Sequence, residues 1–289
     1  MPTTDQPRLR VLLVNYLSWE NVAARLASPA LRGADVIVVD NGSEPDEVLA
    51  LCTRHGASPV LLPENRGFAA GVNAGWAVAR ERPPLPLLLL NPDAELSAEA
   101  LDLLLAGLPG HDGVGPLLLE GPNRPQVGVG GGPISASSVF VYFLFLSHLR
   151  RDWRGVFLTR RQARDGGTVS WLCMAALLLA PDALHRFGLL PEDELVYAED
   201  VAWGSAATLR GAHFALVPGA VVPHAHGSSG ASTAWVGSME RLLRRRLGPV
   251  SGRSAVLAIR VGVAIRRAAR IADIRSVRER ILLVRGRPS

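Results

Sequence analysis

The stretch VIVVDNGS, residues 36–43, joins a β-branched apolar run directly to small polar residues. The same pattern occurs in RLRVLLVNY (8–16), in SPVLL before ENRG (58–67) and in LLLL before NPD (87–93). Continuous apolar runs of this length predict strands that are buried on both faces of a sheet. Helical segments are expected between and after these runs, at about 19–31, 67–80 and 97–108, the last with Ser97 as its N-cap.

Strands that alternate with helices predict an α/β fold, with a mostly parallel central sheet and helices on both faces. In such a sheet the carboxyl ends of the parallel strands meet along one edge, and ligands bind beyond that edge. The polar residues that follow the four strands are therefore expected to form one site. They are Asn15, Tyr16, Asp40, Asn41, Gly42, Ser43, Glu64, Asn65, Arg66, Gly67, Asn91 and Asp93.

The second half of the chain has a different pattern. Residues 109–170 are rich in Gly and Pro and contain the apolar run VFVYFLFL (139–146), which fits the core or the wall of a cleft. An acidic segment, PEDELVYAED, covers residues 191–200. We expect HFALVPGAVV (213–222) to form two short strands around a Pro-Gly turn, followed by His224 and His226.

Composition excludes several classes of protein. Of the 289 residues 48% are apolar and 20% charged, which excludes disordered, collagenous and coiled-coil chains. No run reaches the ~18 uninterrupted apolar residues of a spanning helix. Two cysteines, Cys52 and Cys173, do not make a disulfide framework, so a reducing cytosol is the default compartment.

The charge is divided unevenly along the chain. All 31 basic residues are arginine. Residues 239–289 hold 14 Arg and 3 acidic residues, a net charge of +11, whereas residues 1–238 hold 17 Arg and 23 acidic residues, a net charge of −6; together they give the overall +5. A basic tail predicts an anionic partner, either a membrane surface or nucleic acid.

In their order, these motifs resemble the family 2 glycosyltransferases of the GT-A fold, and within them the bacterial rhamnosyltransferase-like subgroup. The matching segments are VLLVNY (11–16), VIVVDNGS (36–43), ENRGFAAGVNAGW (64–76), LLLLNPDAEL (87–96), YAED (197–200) and VPGAVVPHAHGSS (217–229). The resemblance implies a GT-A domain over 1–238, with a donor half at about 8–108 and an acceptor half at about 109–238. An Arg-rich helical tail, 239–289, follows.

The resemblance implies a nucleotide-sugar site in the donor half. Asp40 would accept a hydrogen bond from a uracil or thymine, with Asn15 and Tyr16 in the same pocket. The segment also fits a plain DNG turn, in which Asp40 and Asn41 only cap backbone groups. Near the diphosphate the resemblance implies Asn65, Arg66, Gly67, Asn73 and Asn91, with helix N–H groups facing the phosphates.

A divalent metal, Mg or Mn, is implied as cofactor, held by Asp93 of the NPD motif and by His224, with His226 as the alternative. Asp200 is implied as the general base that deprotonates an acceptor hydroxyl, with Glu199 beside it. An acidic first turn of a helix, stabilised by the helix dipole, would look the same. Trp171, Trp203 and Trp235 are expected in the core, although each could stack on a sugar.

The function expected from this resemblance is inverting sugar transfer from a nucleotide-diphosphate donor, with dTDP-rhamnose first and a UDP-sugar second. The acceptor would be a glycan, a glycolipid or a small natural product. The acceptor half departs from the family, because EDVAW (199–203) has Ala202 where a second Asp is usual, and Pro191 also replaces an Asp. A non-catalytic sugar-nucleotide-binding scaffold therefore stays open. A nucleotidyltransferase is disfavoured, because NYLSWEN (15–21) is not a basic Gly-rich loop.

The tail has two interpretations of equal weight. Arginines interleaved with Val, Ile and Ala at 260–270 fit a helix that lies in the plane of a membrane. They also fit a helix packed on the body with a solvated Arg face. Nucleic acid is disfavoured because no aromatic platform accompanies the arginines. The expected location is the cytoplasm, either free or on the inner face of the cell membrane.

Overall fold

The computed structural model describes residues 7–150, 152–193, 198–224 and 234–285, with side chains in the last range described to Arg266 and at Ala268. Its strands are β1 (Arg10–Asn15), β2 (Asp35–Asn41), β3 (Ser58–Leu62), β4 (Leu87–Leu90), β5 (Gly113–Leu119), β6 (Gly130–Gly131), β7 (Gly167–Val169), β8 (Trp171–Leu172), β9 (Ala176–Leu179) and β10 (Phe214–Pro223). Its helices are α1 (Trp19–Leu26), α2 (Pro45–His55), α3 (Phe68–Ala79), α4 (Ala98–Gly107), α5 (Ala136–Phe143), α6 (Arg160–Asp165), α7 (Ala183–Phe187), α8 (Glu199–Leu209) and α9 (Ala234–Arg285).

Eight strands form one sheet in the order β3-β2-β1-β4-β9-β5-β10-β7. The pairs β3–β2, β2–β1, β1–β4 and β5–β10 are parallel. β9 is antiparallel to both of its neighbours, and β7 is antiparallel to β10. The chain therefore has the predicted α/β fold, with a large central sheet flanked by helices. The GT-A-like order brings the ends of β1, β2 and β4 side by side.

The core follows from the apolar runs. All four leucines of β4 are at most 2% exposed, and β1 and β2 are buried along most of their length. Burial of each such side chain contributes ~1.5–3 kcal/mol. Ser97 Oγ accepts a hydrogen bond from Ala100 N and caps α4, as predicted.

Two predicted elements differ from the structure. The helix expected over 19–31 ends at Leu26, and Pro29–Leu31 is a separate 3-10 turn. The prediction of two short strands within 213–222 is wrong, because Phe214–Pro223 is one strand. Its pairing with β5 shifts register between Val217 and Val221, so the Pro-Gly pair makes an irregularity inside the strand instead of a turn.

The tail is a helical hairpin. The backbone of Gly248 has φ 73° and ψ −179°, which breaks α9 into a first arm, residues 234–247, and a second arm, residues 249–285. Arg260 in the second arm pairs with Glu240 in the first at 2.7 Å. A Cβ added to Gly252 would lie 3.0 Å from Arg244 Cα, so the arms pack closely. Glycine at 248 supplies the positive φ that this reversal requires.

The hairpin packs on the body and closes a second hydrophobic cluster. The buried members from α9 are Met239, Leu242, Leu243, Ala255, Ala258 and Ile259. They meet Val139 and Phe143 of α5, and Val201 and Ala202 of α8. The described part of the tail therefore buries one apolar face on the body, as the second interpretation of its sequence expected.

Within the described residues, Trp235–Arg266 is long and apolar enough to cross a membrane by length and composition, with a mean hydropathy of 1.2 in its most apolar window. The chain reverses inside this segment at Gly248. The structure therefore does not form it as one continuous span.

The packing of the tail predicts unequal effects for two neighbouring residues. Ile259 is 0% exposed, whereas Val261 is 41% exposed on the same arm. We expect Ile259→Ala to lower the free energy of unfolding by ~2–4 kcal/mol, because it leaves a cavity between α9 and α5. We expect the control Val261→Ala to change it by about 0.5 kcal/mol or less. Urea unfolding measures both, and equal effects would contradict the docked tail.

Candidate active site

The first group of polar side chains lies where β1 and β2 end. The buried Asp40 carboxylate accepts hydrogen bonds from Asn15 Nδ2 (2.9 Å), Ser43 N (2.9 Å), Ser43 Oγ (2.8 Å) and Glu44 N (3.1 Å). Burial raises the pKa of Asp40, but these hydrogen bonds outweigh burial and hold the pKa below its ordinary value. Asp40 is therefore an ionised residue that fixes the turn and joins it to β1.

A cavity of about 440 Å³ opens beside this turn. Its lining residues are Asp40, Gly42, Ser43, Pro45, Leu61, Leu62 and Pro63. Gly42 has φ +72°, and a Cβ there would lie 2.2 Å from the carbonyl carbon of Glu64, so only glycine fits. Tyr16, at the end of β1, is 47% exposed. The cavity has apolar walls and a carboxylate in its lining, which suits a flat heterocycle with an N–H group.

The second group fixes the start of α3. Asn41 Nδ2 donates to Asn65 Oδ1 (3.0 Å) and to Gly67 O (3.1 Å), and Asn41 Oδ1 accepts from Arg66 N (3.1 Å). Gly67 N donates in turn to Asn65 Oδ1 (2.9 Å). Asn65 and Asn41 thus hold the loop against β2. The helix start that follows at Phe68 carries the partial positive charge of a helix N-terminus.

Two predicted donor residues contact a segment far along the chain. Arg66 Nη2 donates to Glu192 Oε2 (2.9 Å), and Asn73 Nδ2 donates to Glu192 Oε1 (2.8 Å) and Leu190 O (2.9 Å). Asn73 Oδ1 accepts from Leu190 N (3.0 Å). The buried Asn73 therefore locks α3 to the segment that leads into α8. The Arg66–Glu192 pair is exposed and contributes little to stability, so Arg66 can exchange Glu192 for another anion.

The third group joins the end of β4 to the end of β10. Asp93 Oδ1 lies 3.3 Å from His224 Nε2, and His224 Nδ1 lies 2.8 Å from Gln126 Oε1. Because an amide oxygen only accepts, the Nδ1 proton of His224 belongs to the bond with Gln126, which turns Nε2 towards Asp93. Backbone contacts fix both residues: Glu95 N donates to Pro223 O (2.8 Å), and Asn91 N donates to Ala175 O (2.8 Å).

Asp93 and His224 fit a divalent cation. A carboxylate oxygen and an imidazole nitrogen at this separation can both contact one ion at ~2.0–2.2 Å. A carbonyl partner on the other ring nitrogen is the usual second contact of a ligating histidine, and Gln126 supplies it here. In the part of the chain that the structure describes, no group of three or more His, Cys, Asp or Glu side chains could hold a metal ion. An ion held by Asp93 and His224 would therefore need further donors from water, from a bound ligand or from residues outside the described ranges.

The fourth group is the first turn of α8. Burial raises the pKa of Asp200 to about 6, although hydrogen bonds from its own N–H and from Val201 N (2.7 Å) act in the opposite direction. The thiol of Cys173 lies close enough to Asp200, Glu199 and Asp93 for all three carboxylates to raise its pKa, in addition to the larger effect of burial. Asp93 and the acidic turn of α8 therefore lie near one another, around Cys173.

The structure thus places the predicted residues in neighbouring groups along the carboxyl edge of the sheet. Asn15, Asp40, Asn65, Gly67 and Asn73 are engaged in contacts within the protein, and their roles towards a donor stay predictions. Gln126 was not predicted, since nothing in GPNRPQVG (121–128) distinguishes it. Trp171 and Trp203 are buried, at 1% and 3% exposed, and Trp235 stacks on Phe143. His226 and Tyr197 lie outside the described residues.

The first part of the chain is similar to a known family. Residues 11–116, which hold β1 to β4, match the model of the glycosyl transferase family 2. None of the curated proteins compared with the chain matches it.

Solved structures show the fold. GalNAc-T7 with UDP, GalNAc and Mn²⁺ is similar with a TM-score of 0.56 and 13% identity, over 83% of this chain and 48% of that one. TarS of S. aureus is similar with a TM-score of 0.49 and 15% identity, over 87% of this chain and 70% of that one. This chain therefore spans about half the length of the GalNAc-T7 chain.

Backbone strain at the start of α8 leads to a first prediction for the site. Ala198 has φ 84°, in the left-handed region that favours glycine. We expect Ala198→Gly to raise the free energy of unfolding by up to about 1 kcal/mol, because it relieves this strain. The matched change Ala202→Gly, inside the same helix, should lower it by about 1 kcal/mol. Thermal unfolding of both variants checks the opposite signs.

The carboxylate of Asp200, which is half-buried, leads to a second prediction for the site. Its pKa of about 6 lies above the ordinary 3.8, so the free-energy cost of ionising it in the folded state builds up between about pH 4 and pH 6 and is constant above that range. We therefore expect Asp200→Asn to have a higher melting temperature than wild type at neutral pH. The difference should vanish as pH falls towards 4, where both folded and unfolded wild type become protonated.

A control for this experiment is Asp102→Asn, which removes an exposed carboxylate. Melting temperatures measured across the acidic to neutral range should show no comparable pH-dependent gain for this control. A gain for Asp200→Asn that is constant with pH would mean that the Asp200 carboxylate is not the source.

Proposed function

We propose, from the family 2 glycosyltransferase match over residues 11–116 and the GT-A fold, that this chain is an inverting glycosyltransferase. It would transfer a sugar from a nucleotide-diphosphate donor to an acceptor hydroxyl. The observation that carries this proposal is that Asp93 lies 3.3 Å from His224, while Asp93, Glu199 and Asp200 all lie close enough to Cys173 to raise the pKa of its thiol. Side chains grouped in this way could combine a cation site with a carboxylate base.

The donor would occupy the edge formed by β1, β2 and α3. The pyrimidine would enter the cavity next to Ser43, where the ionised Asp40 can accept its N3–H. The diphosphate would approach the N-terminus of α3, and Arg66 would leave Glu192 to pair with it. We propose dTDP-rhamnose as the first donor and a UDP-sugar as the second, on the resemblance of the NPD and ENRGFAAG motifs alone.

Asp93 and His224 would hold Mg²⁺ or Mn²⁺, with Gln126 keeping the histidine in the required tautomer. The ion would neutralise charge on the diphosphate leaving group. Asn91 lies at the end of β4, two residues before Asp93, and would line the same site.

Asp200 would act as the general base. A pKa of about 6 leaves it mostly ionised at neutral pH yet basic enough to take a proton from a hydroxyl in the transition state. As the acceptor oxygen forms its bond to the anomeric carbon, the bond from that carbon to the diphosphate breaks. The proton goes to Asp200, the nucleoside diphosphate leaves, and the configuration inverts because the displacement is single. Glu199 would help to orient this turn.

For the acceptor we propose a hydroxyl of a glycan or glycolipid, with a small natural product as the alternative. The proposal follows the family resemblance. The replacements at Ala202 and Pro191 fall in this half, so its acceptor contacts differ from those usual in the subgroup.

The test is a thermal-shift panel of dTDP- and UDP-sugars with and without Mn²⁺. We expect one nucleotide sugar to stabilise wild type only with metal, because a cation held by Asp93 and His224 would offset the charge of the diphosphate. Asp93→Ala should lose this shift. Asp200→Asn should keep it and lose turnover by at least about 10²-fold, the contribution of a general base. Asp102→Asn is the matched control and should behave as wild type.

Two results would contradict parts of the proposal. If no nucleotide sugar stabilises the protein, the donor site is wrong. Suppose a donor binds, but no acceptor in a panel of glycans, glycolipids and polyols is modified and the donor is not hydrolysed. The non-catalytic binding function then replaces sugar transfer.

A further inference from the structure

The second arm of α9 is apolar on two opposite faces. Its inner face buries Ala255, Val256, Ala258 and Ile259, each at most 3% exposed. Its outer face leaves Leu257 63%, Val261 41% and Ile265 45% exposed. These three positions are spaced by four residues, so they form one stripe along the helix. A surface helix normally has polar residues along its outer face, whereas three exposed positions of this arm are large and apolar.

Arg266 ties this arm to the segment after α5. Its Nη1 donates to Phe143 O (3.4 Å), and its guanidinium lies 4.3 Å from the ring centre of Phe145. Farther along that segment Leu149 is 74% exposed and Trp153 is 40% exposed. Exposed Trp and Leu side chains are typical of surfaces that enter the interfacial region of a lipid bilayer.

The charge around the stripe is positive. Arg253 and Arg260 are exposed on the same arm, with Arg260 in an ion pair with Glu240. Arg150, in an ion pair with Asp152, lies over the ring of Trp153 at 5.7 Å. Farther along the chain, residues 267–289 contain 7 Arg and 2 acidic residues. Each arginine near an anionic lipid surface contributes ~1 kcal/mol to binding. A second copy of the chain is a poor occupant, because it would bring two arginine-rich tails against each other.

We propose that the stripe Leu257, Val261 and Ile265, with its flanking arginines, binds the surface of an anionic lipid membrane. The helix would lie in the plane of the membrane, with the stripe in the acyl boundary and the arginines at the phosphates. This proposal does not depend on sugar transfer, and it places the protein on a membrane face instead of across it.

The test is co-sedimentation of the full-length chain with vesicles. One set contains only phosphatidylcholine and the other an equal mixture with phosphatidylglycerol. The variant L257Q/V261Q/I265Q removes the stripe without changing charge. Its matched control, L49Q/L103Q/L209Q, removes three exposed leucines elsewhere on the surface. Melting temperatures of both should stay near that of wild type, because all six side chains face solvent.

We expect wild type and the control to bind the mixed vesicles, to bind phosphatidylcholine much more weakly, and to lose affinity in high salt. The stripe variant should bind the mixed vesicles at least about tenfold more weakly, because it loses most of the inserted apolar area. Equal binding by the stripe variant and the control would overturn the proposal, as would no binding of wild type. Light scattering without lipid is a further measurement. If wild type is a dimer and the stripe variant is a monomer, the stripe serves self-association, which would also overturn the proposal.

Discussion

The rest of the candidate site depends on one buried carboxylate. Asp40 closes the turn after β2, accepts from Asn15 at the end of β1, and leads into Asn41, which in turn holds the loop before α3. A buried carboxylate without these donors would be strongly unfavourable, so burial and hydrogen bonding together permit only this turn geometry. Gly42 allows no alternative, because any side chain would collide with Glu64. The cavity beside the turn is thus a consequence of how the turn is built.

Burial and hydrogen bonding have the opposite balance at Asp200. Asp200 is half-buried, and desolvation outweighs its two backbone hydrogen bonds, so its pKa rises; the backbone at Ala198 is strained two residues before it. The chain therefore contains one acid whose pKa is lowered and another whose pKa is raised to about 6. Opposite shifts of this kind in one fold are typical of carboxylates with different roles, and they support the proposed role of Asp200 as a base.

Much of the edge formed by the ends of β1, β2 and β4 could be predicted from the sequence, because strand ends in a parallel sheet are adjacent in space. The start of α4 could also be predicted, because Ser97 is a local cap signal. Contacts between segments that are distant in the sequence could not be predicted. Gln126 meets His224 only because β10 lies beside β5, and Glu192 meets Asn73 only because the segment before α8 packs on α3. The strand over residues 214–223 was misread because a Pro-Gly pair is a local turn signal that pairing with β5 overrides. The face that the tail buries was equally hidden, since either face of its helix is apolar.

The first arm of the hairpin packs in one hydrophobic cluster with α8, the helix that carries Asp200. Leu242 and Leu243 of this arm share one packed layer with Val201 and Ala202, which lie directly after Asp200 in α8. The tail and the first turn of α8, which carries Asp200, therefore belong to the same hydrophobic cluster. A partner that moved α8 together with the tail would change the free energy of ligand binding near Asp200, and thermodynamic linkage would then require such a ligand to change the affinity for that partner by the same factor.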